Sequence, residues 1–489
     1  MRSKLNGLYN NFIRLGRYNS CLFSFIIILA FTGCAALESS GQGGKKYSRE
    51  EANASKLSVF LNLANKDAPS MVITILSIDV MVDSQWLSLN GQPIVIETKK
   101  IGNGQMLLLR RPLTPGNYQR FRVLIKQADL LDEAKTIPLK LPLENIELQL
   151  EEPMHLGNGD SQSVFIGFDA SASISGHKSF QPRFSVGVSP KNILLKDLAF
   201  VACPNINTLY FIRTDNNWVY GSIAVSGRPT YLSANIAENR LYVLATDEAM
   251  LKVIEISSGR LIDRIQIPMS MEPTFMTVTP NGEWAYFIDS RSDFLTRMHL
   301  PSGNLSARVR ISDRPQHLLY MQDQGKLAVS VALSQSVLLL DAVTLATIET
   351  IPVATSPNGL IAKDGKLYIA GSSTNMVTIY DLAERRILKQ INVGFSPRRF
   401  GMSDSRIFVT NYLSDSISML LPGINSVKRE IQVGGRPLEL AFSKDRRWLY
   451  VGDEEPGGLT VIDVTSEKKV DYVFLDTTPA GLVFIQPDN

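Results

Sequence analysis

Four arginines and one glutamate stand where a repeated proline would bring them together. Proline recurs at 229, 273, 315, 357, 397, 437 and 479, at spacings of 44, 42, 42, 40, 40 and 42 residues. The residues in front of it are Arg228, Glu272, Arg314, Ser356, Ser396, Arg436 and Thr478, and Arg398 follows the fifth. In repeats of near-constant length such positions share one face. Arg228, Arg314, Arg398 and Arg436 would then oppose the lone carboxylate of Glu272 at a rim. A guanidinium is a planar fork that grips carboxylate or phosphate by two parallel hydrogen bonds, so these five residues form the candidate ligand-binding set. The alternative is that neighbouring loop carboxylates, such as Asp313 or Asp289, pair with the arginines, which then only cap the repeats.

Other chemistry is sparse. Catalysis needs a convergent acid or base, and Glu272 is the only one at the rim, so no catalytic residue is assigned. His155, His177, His299 and His317 show no metal-ligand spacing. Met269, Met271 and Met276 are soft donors without a nearby His or Cys and read as packing. Asp289, Asp293 and the run Asp453-Glu454-Glu455 read as solvated loop ends, since none sits in an EF-hand-like loop. Cys-x-x-Cys-His, Gly-x-Ser-x-Gly and His-Glu-x-x-His are absent, and Gly41 to Lys46 lacks the first glycine of a P-loop. No cofactor and no metal are expected.

The elements that must carry the rim follow from the period. Each proline opens a short apolar strand, then a polar turn, then a strand such as LYVLA, AYFID, LAVSV, LYIAG, IFVTN or LYVGD, then a hairpin. Four strands in about forty residues make one blade of a β-propeller. Three strands before Pro229 (AFVACP, TLYFIR, NWVYGSIAV) lack a first strand, and AGLVFI after Pro479 supplies one. Seven blades are expected, with the C-terminal strand completing the first and so removing an open edge. LYVLA, LYIAG, IFVTN and LYVGD, with VTIYD, LTVID and INVGFSP, resemble the YVTN-type seven-bladed β-propeller over residues 197–489. That resemblance implies binding at the cell surface or in the periplasm. Related seven-bladed folds include lactonases and quinone enzymes.

Residues 56–188 alternate in short β-rich runs broken by Asn, Gly, Pro and Asp, the pattern of an antiparallel β-sandwich. Asp67-Ala68-Pro69, Pro115-Gly116-Asn117-Tyr118 with Arg122, and Phe168 to Ser173 resemble bacterial lipoprotein domains of unknown function with a transthyretin-like sandwich. Gly167 stands where that family commonly has an Asp, which argues against a paired-carboxylate metal site there. Asp169 is expected to satisfy loop amides.

Residues 1–33 read as a leader: four cations, the apolar run CLFSFIIILAF, then Thr32, Gly33 and Cys34. Eleven apolar residues are too few to span a membrane. The Phe-Thr-Gly-Cys ending resembles the bacterial lipobox, which implies lipidation of Cys34, with Phe31 departing from the usual Leu; ordinary secretion is the alternative. Ala35 after the cysteine favours the outer membrane in a Gram-negative cell. Residues 34–55 are polar and Gly/Ser-rich, the composition of a flexible tether. The net charge of +3 over 489 residues becomes −1 without the leader's four cations, so bulk charge does not recruit nucleic acid. Cys203 alone remains, so no intrachain disulfide forms. Together these readings give an all-β, lipid-anchored extracytoplasmic protein that binds an envelope protein or a small anion, with the sandwich as spacer or second recognition module. The alternative is a periplasmic propeller enzyme of lactonase type.

Overall fold

Strand Lys56–Leu63 lies between two apolar clusters. It does not alternate between buried and exposed residues, because both of its faces are covered. Leu57, Val59, Leu61 and Leu63 point into one apolar cluster, while Phe60 joins a second one with Ala199, Val201, Tyr210 and Tyr450. The computed structural model describes residues 48–65, 68–132, 135–176, 178–189, 197–311, 314–354 and 356–485. Cys34, Asp67, His177 and Asp313 lie outside the described residues. Tyr47–Asn489 make one compact unit.

Two sheets build the N-terminal region. One runs Phe184–Val188, Ser161–Phe168, Lys56–Leu63, Gln105–Pro112. The other centres on Met71–Val82 and Gly116–Asp132. Their facing side chains, among them Val59, Ile73, Phe121, Val123 and Ile166, form a single core, and a third, two-stranded sheet pairs Ile174–Ser175 with Ser179–Phe180. The expectation of a purely antiparallel arrangement is corrected at one place: Lys56–Leu63 and Ser161–Phe168 pair in parallel. That pairing joins strands a hundred residues apart, which no local turn signal announces.

The end of the stretch expected as a tether, residues 48–55, is ordered into structure. Arg49–Asn53 form a helical turn started by a capping box, in which Ser48 and Glu51 each bond the other's backbone amide. Its end is held to the propeller through Asn53 and Asn207, 2.7 Å apart.

From Leu198 onward the chain forms seven four-stranded antiparallel sheets. Blades 2 to 6 begin at Pro229, Pro273, Pro315, Pro357 and Pro397, and blade 7 at Gly435, two residues before Pro437. Blade 1 combines Leu198–Cys203, Thr208–Arg213 and Trp218–Ala224 with the C-terminal strand Gly481–Ile485, which pairs antiparallel with Leu198–Cys203. Each innermost strand lies beside that of the next blade, and Gly481–Ile485 lies beside those of both blade 7 and blade 2. The second strands are almost wholly buried, as LYVLA and LYIAG are, whereas the fourth strands carry the charge.

The N-terminal region is knitted to blade 1 rather than held off it. Gln105 donates to the carbonyl of Val219 and accepts its amide, at 3.0 and 2.7 Å, and the indole of Trp218 donates to the Asn103 carbonyl at 2.7 Å. Arg110 donates to the Tyr210 hydroxyl and to the Leu475 and Asp476 carbonyls, so it reaches blade 1 and the end of blade 7 together.

Candidate functional site

A repeated device sets the rim. Asn207, Asp293, Asn375 and Asp415 each lie 21 residues before a pre-proline residue and accept its backbone N–H through a side-chain oxygen, at 2.8 to 3.1 Å. Each also uses its carbonyl to accept the amide of Val225, Ile311, Val393 or Val433. Arg228, Arg314, Ser396 and Arg436 are thereby fixed in the left-handed region, with φ of 57°, 68°, 53° and 56°. Bulky side chains rarely adopt that conformation, and proline disfavours the helical one for the residue before it. The Asn or Asp at a spacing of 21 was legible in the sequence and was missed.

Fixed this way, the arginines part company. Arg228 pairs with Asp247 and with Glu272 at 2.9 and 3.1 Å. Arg436 pairs with Glu455 at 3.3 Å and approaches Glu454 at 3.9 Å. Both are capped by carboxylates, those of Arg436 lying at the end of strand Trp448–Glu455, and Glu272 is consumed by Arg228. Asp289 is not among the partners: both its oxygens accept loop donors. Arg314 is exposed and has no ion pair among the described residues.

Arg398 is placed differently. With the residues that follow the other six prolines, Thr230, Thr274, Gln316, Asn358, Leu438 and Ala480, it lines an axial cavity of about 240 Å³. Its guanidinium lies 3.4 Å from the centre of the Tyr412 ring. Tyr412 in turn donates to the buried carboxylate of Glu454 at 2.5 Å, and burial together with that carboxylate pushes its phenol up to about 12. Burial lowers the Arg398 pKa, but an arginine so lowered remains charged. Arg398 has no hydrogen bond or ion pair to protein among the described residues. Gly359 permits this placement, since a Cβ there would come within 2.1 Å of the Arg398 carbonyl.

The neighbouring Arg399 is satisfied. It pairs with Glu439 at 2.6 Å and bonds Asn358. Opposite stand Tyr231 and Phe275, ring centres 4.1 Å apart, with His317 4.3 Å beyond Phe275. Burial raises the Tyr231 phenol and holds the His317 imidazole well below its usual range, so both are neutral at pH 7. Thr274 Oγ1 and His317 Nδ1 are buried without a hydrogen-bond partner. Of these two, Thr274 lines the same cavity as Arg398. Arg399, Glu439 and Tyr412 belong to this site and were not singled out from sequence, because their pairings join different blades; Glu454, expected at a solvated loop end, is instead buried within strand Trp448–Glu455.

No protein-family model matches the chain, and no curated protein matches its sequence. Among solved structures it is similar to a protein of unknown function from Desulfotomaculum acetoxidans, at 13% identity and a TM-score of 0.53, over 60% of this chain and 100% of that one. It is also similar to candidate 6-phosphogluconolactonases from Bacteroides fragilis and Bacteroides uniformis, both at 12% identity and a TM-score of 0.52. These cover 60% and 59% of this chain and 99% and 100% of theirs. At such identity the likeness shows the fold, and the chain carries a β-propeller.

Proposed function

We propose that this protein is a binding protein that captures a small anion, a carboxylate or a phosphate, in the axial cavity of its propeller. The observation that carries the reading is Arg398: charged, stacked on Tyr412, lining the cavity and without a side-chain hydrogen bond or ion pair among the described residues. A hydrogen bond to a charged group contributes about 1.5 to 3 kcal/mol, or roughly ten- to a hundredfold in affinity. Calorimetry with acetate, benzoate and inorganic phosphate tests it. Binding is expected to weaken by that factor in Arg398→Ala and to change little in Arg228→Ala, whose partner is Glu272. Equal affinity in wild type and Arg398→Ala would sink the reading.

A lactonase-type activity is the second reading, supported by the candidate 6-phosphogluconolactonases among the fold's neighbours. Arg398 and Arg399 would polarise a lactone carbonyl, and Glu439, tied to Arg399, is the nearest carboxylate. Hydrolysis of simple lactones by the purified protein, lost in Glu439→Gln, would favour it over binding alone.

An extracytoplasmic, lipid-anchored location belongs to the same proposal, with an envelope protein as a further partner. Its support is the order of cations, apolar run and Gly33-Cys34 in the leader. Cys34→Ser is expected to abolish palmitate incorporation and to release the protein from membranes; an unlabelled wild type points to ordinary secretion.

A further inference from the structure

The arginine the axial cavity leaves out belongs to a second surface. Three loops of blade 3 are tied together at its rim. Met271 and Glu272 donate their amides to Asp289, whose other oxygen accepts the amides of Arg291 and Ser292. Arg308 donates to the Met269 carbonyl at 2.7 Å while its guanidinium lies 3.7 Å from the Phe294 ring. Asp293 accepts the amides of Ile311, through its carbonyl, and of Arg314, through its carboxylate. The segments holding Met269, Met271, Arg291, Arg308, Arg310 and Arg314 are therefore one continuous patch.

The patch combines apolar and cationic side chains. Met269 and Met271 expose 63% and 57% of their surface, Met271 at the position that the comparably exposed Phe395 holds two residues before its own blade's proline. Arg291, Arg310 and Arg314 are exposed, and among the described residues none of the four arginines has an ion pair. Among the described residues the carboxylates at hand are engaged: Asp289 accepts five protein donors, Glu272 pairs with Arg228, and Asp293 accepts Arg314 N–H. By contrast Arg228 and Arg436, at the same point of their own blades, each have carboxylate partners.

We propose that the blade 3 rim docks an acidic protein segment that carries apolar side chains, its carboxylates taken by Arg291, Arg310 and Arg314 and its apolar groups by Met269 and Met271. Charge complementarity selects the partner. Three exposed planar forks suit carboxylates spaced along a peptide. Thioether side chains adapt to varied apolar partners. Two methionines with no aromatic or lysine companions make a poor anchor in lipid, where a broad apolar face is needed.

Fluorescence anisotropy on the full chain tests this with a labelled peptide of mixed glutamate and leucine, and with its glutamine counterpart as control. The acidic peptide should bind, with affinity falling as salt screens the charges. Arg291→Ala/Arg310→Ala/Arg314→Ala should weaken it at least tenfold with an unchanged melting temperature, and Met269→Ser/Met271→Ser about threefold. Arg398→Ala should leave it unaltered, which separates this surface from the axial cavity. Equal binding of the glutamine peptide, full affinity in the triple variant, or loss of affinity in Arg398→Ala would each overturn the proposal. So would preference of the wild type for phosphatidylglycerol vesicles over the peptide.

Discussion

Blades 3 and 7 each carry an aspartate on the second strand opposite the repeated proline: Asp289, the last residue of Trp284–Asp289, faces Pro273, and Asp453, two residues before the end of Trp448–Glu455, faces Pro437. Both are buried, yet their carboxyl pKa values are shifted in opposite directions. Burial alone would raise Asp289, but Ser270, Glu272, Ser292 and Met271 donate to it and hold it at about 2. Asp453 receives Thr460 at 2.6 Å on one oxygen, its other oxygen has no partner, and burial lifts it to about 7. The difference lies in the loop before the proline. In blade 3 that loop aims its amides at the carboxylate. In blade 7 Gly434 passes so close that a Cβ would sit 2.5 Å from Asp453, and its amide goes to Thr460 instead. Donor count, not position in the repeat, decides whether a buried carboxylate keeps its charge.

Removing the C-terminal strand should produce the largest effect and fall on blade 7's side of the comparison. Deleting residues 480–489 uncovers both Leu198–Cys203 and the innermost strand of blade 7, while blade 3 keeps its neighbours. Each large apolar side chain exposed costs about 1.5 to 3 kcal/mol, so soluble yield should collapse. A truncated chain with the wild-type melting temperature would show that this strand is dispensable.

Next is Asp289→Ala, which strands several loop donors. A loss of about 3 kcal/mol or more is expected in urea unfolding, since each buried donor left unmatched costs about 1 to 3 kcal/mol. A loss below about 1 kcal/mol would mean that water replaces the carboxylate at little cost.

The pH dependences should run in opposite directions. The folded pKa of Asp289 lies below the unfolded value near 4, so its stabilisation is present above about pH 4 and disappears as pH falls toward 2. That of Asp453 lies above the unfolded value, so the folded state holds the extra proton and stability declines as pH rises from about 4 to 7. Asp453→Asn should then stabilise the protein by on the order of 2 kcal/mol at pH 8 and by nothing measurable at pH 4. A variant with no gain at pH 8 would place the charge of Asp453 in a better-solvated site than the one described.

The smallest effect expected is at Cys203, in the second strand of blade 1. Burial pushes its thiol up to about 12, so alkylation at pH 8 should be undetectable until the chain unfolds. Rapid labelling of the native protein would show that this blade opens.

The period of the prolines made the seven blades legible, since each repeat restates the same alternation of strand and turn. What pairs across blades was not legible. Arg228 meets Glu272 from 44 positions away and Arg399 meets Glu439 from 40, and nothing local marks either pairing. The ion pairs of Arg228 and Arg436 and the isolation of Arg398 depend on such contacts. The turn at Arg49–Asn53 was different: Ser48 and Glu51 spell its capping box, and the surrounding Gly/Ser-rich composition masked it.

Strand Lys56–Leu63 is the first strand among the described residues, and it is flanked on both sides, in parallel by Ser161–Phe168 and in antiparallel by Gln105–Pro112. Lys56 and Ser58 fasten it from beneath to Ile206 and Tyr210 of blade 1. Tension applied at the N-terminus along this strand loads both rows of backbone hydrogen bonds in shear, so they must fail together rather than one after another. The molecule is thus built to bear a pull from that end, and pulling it by force spectroscopy should give one high-force rupture before any blade unravels.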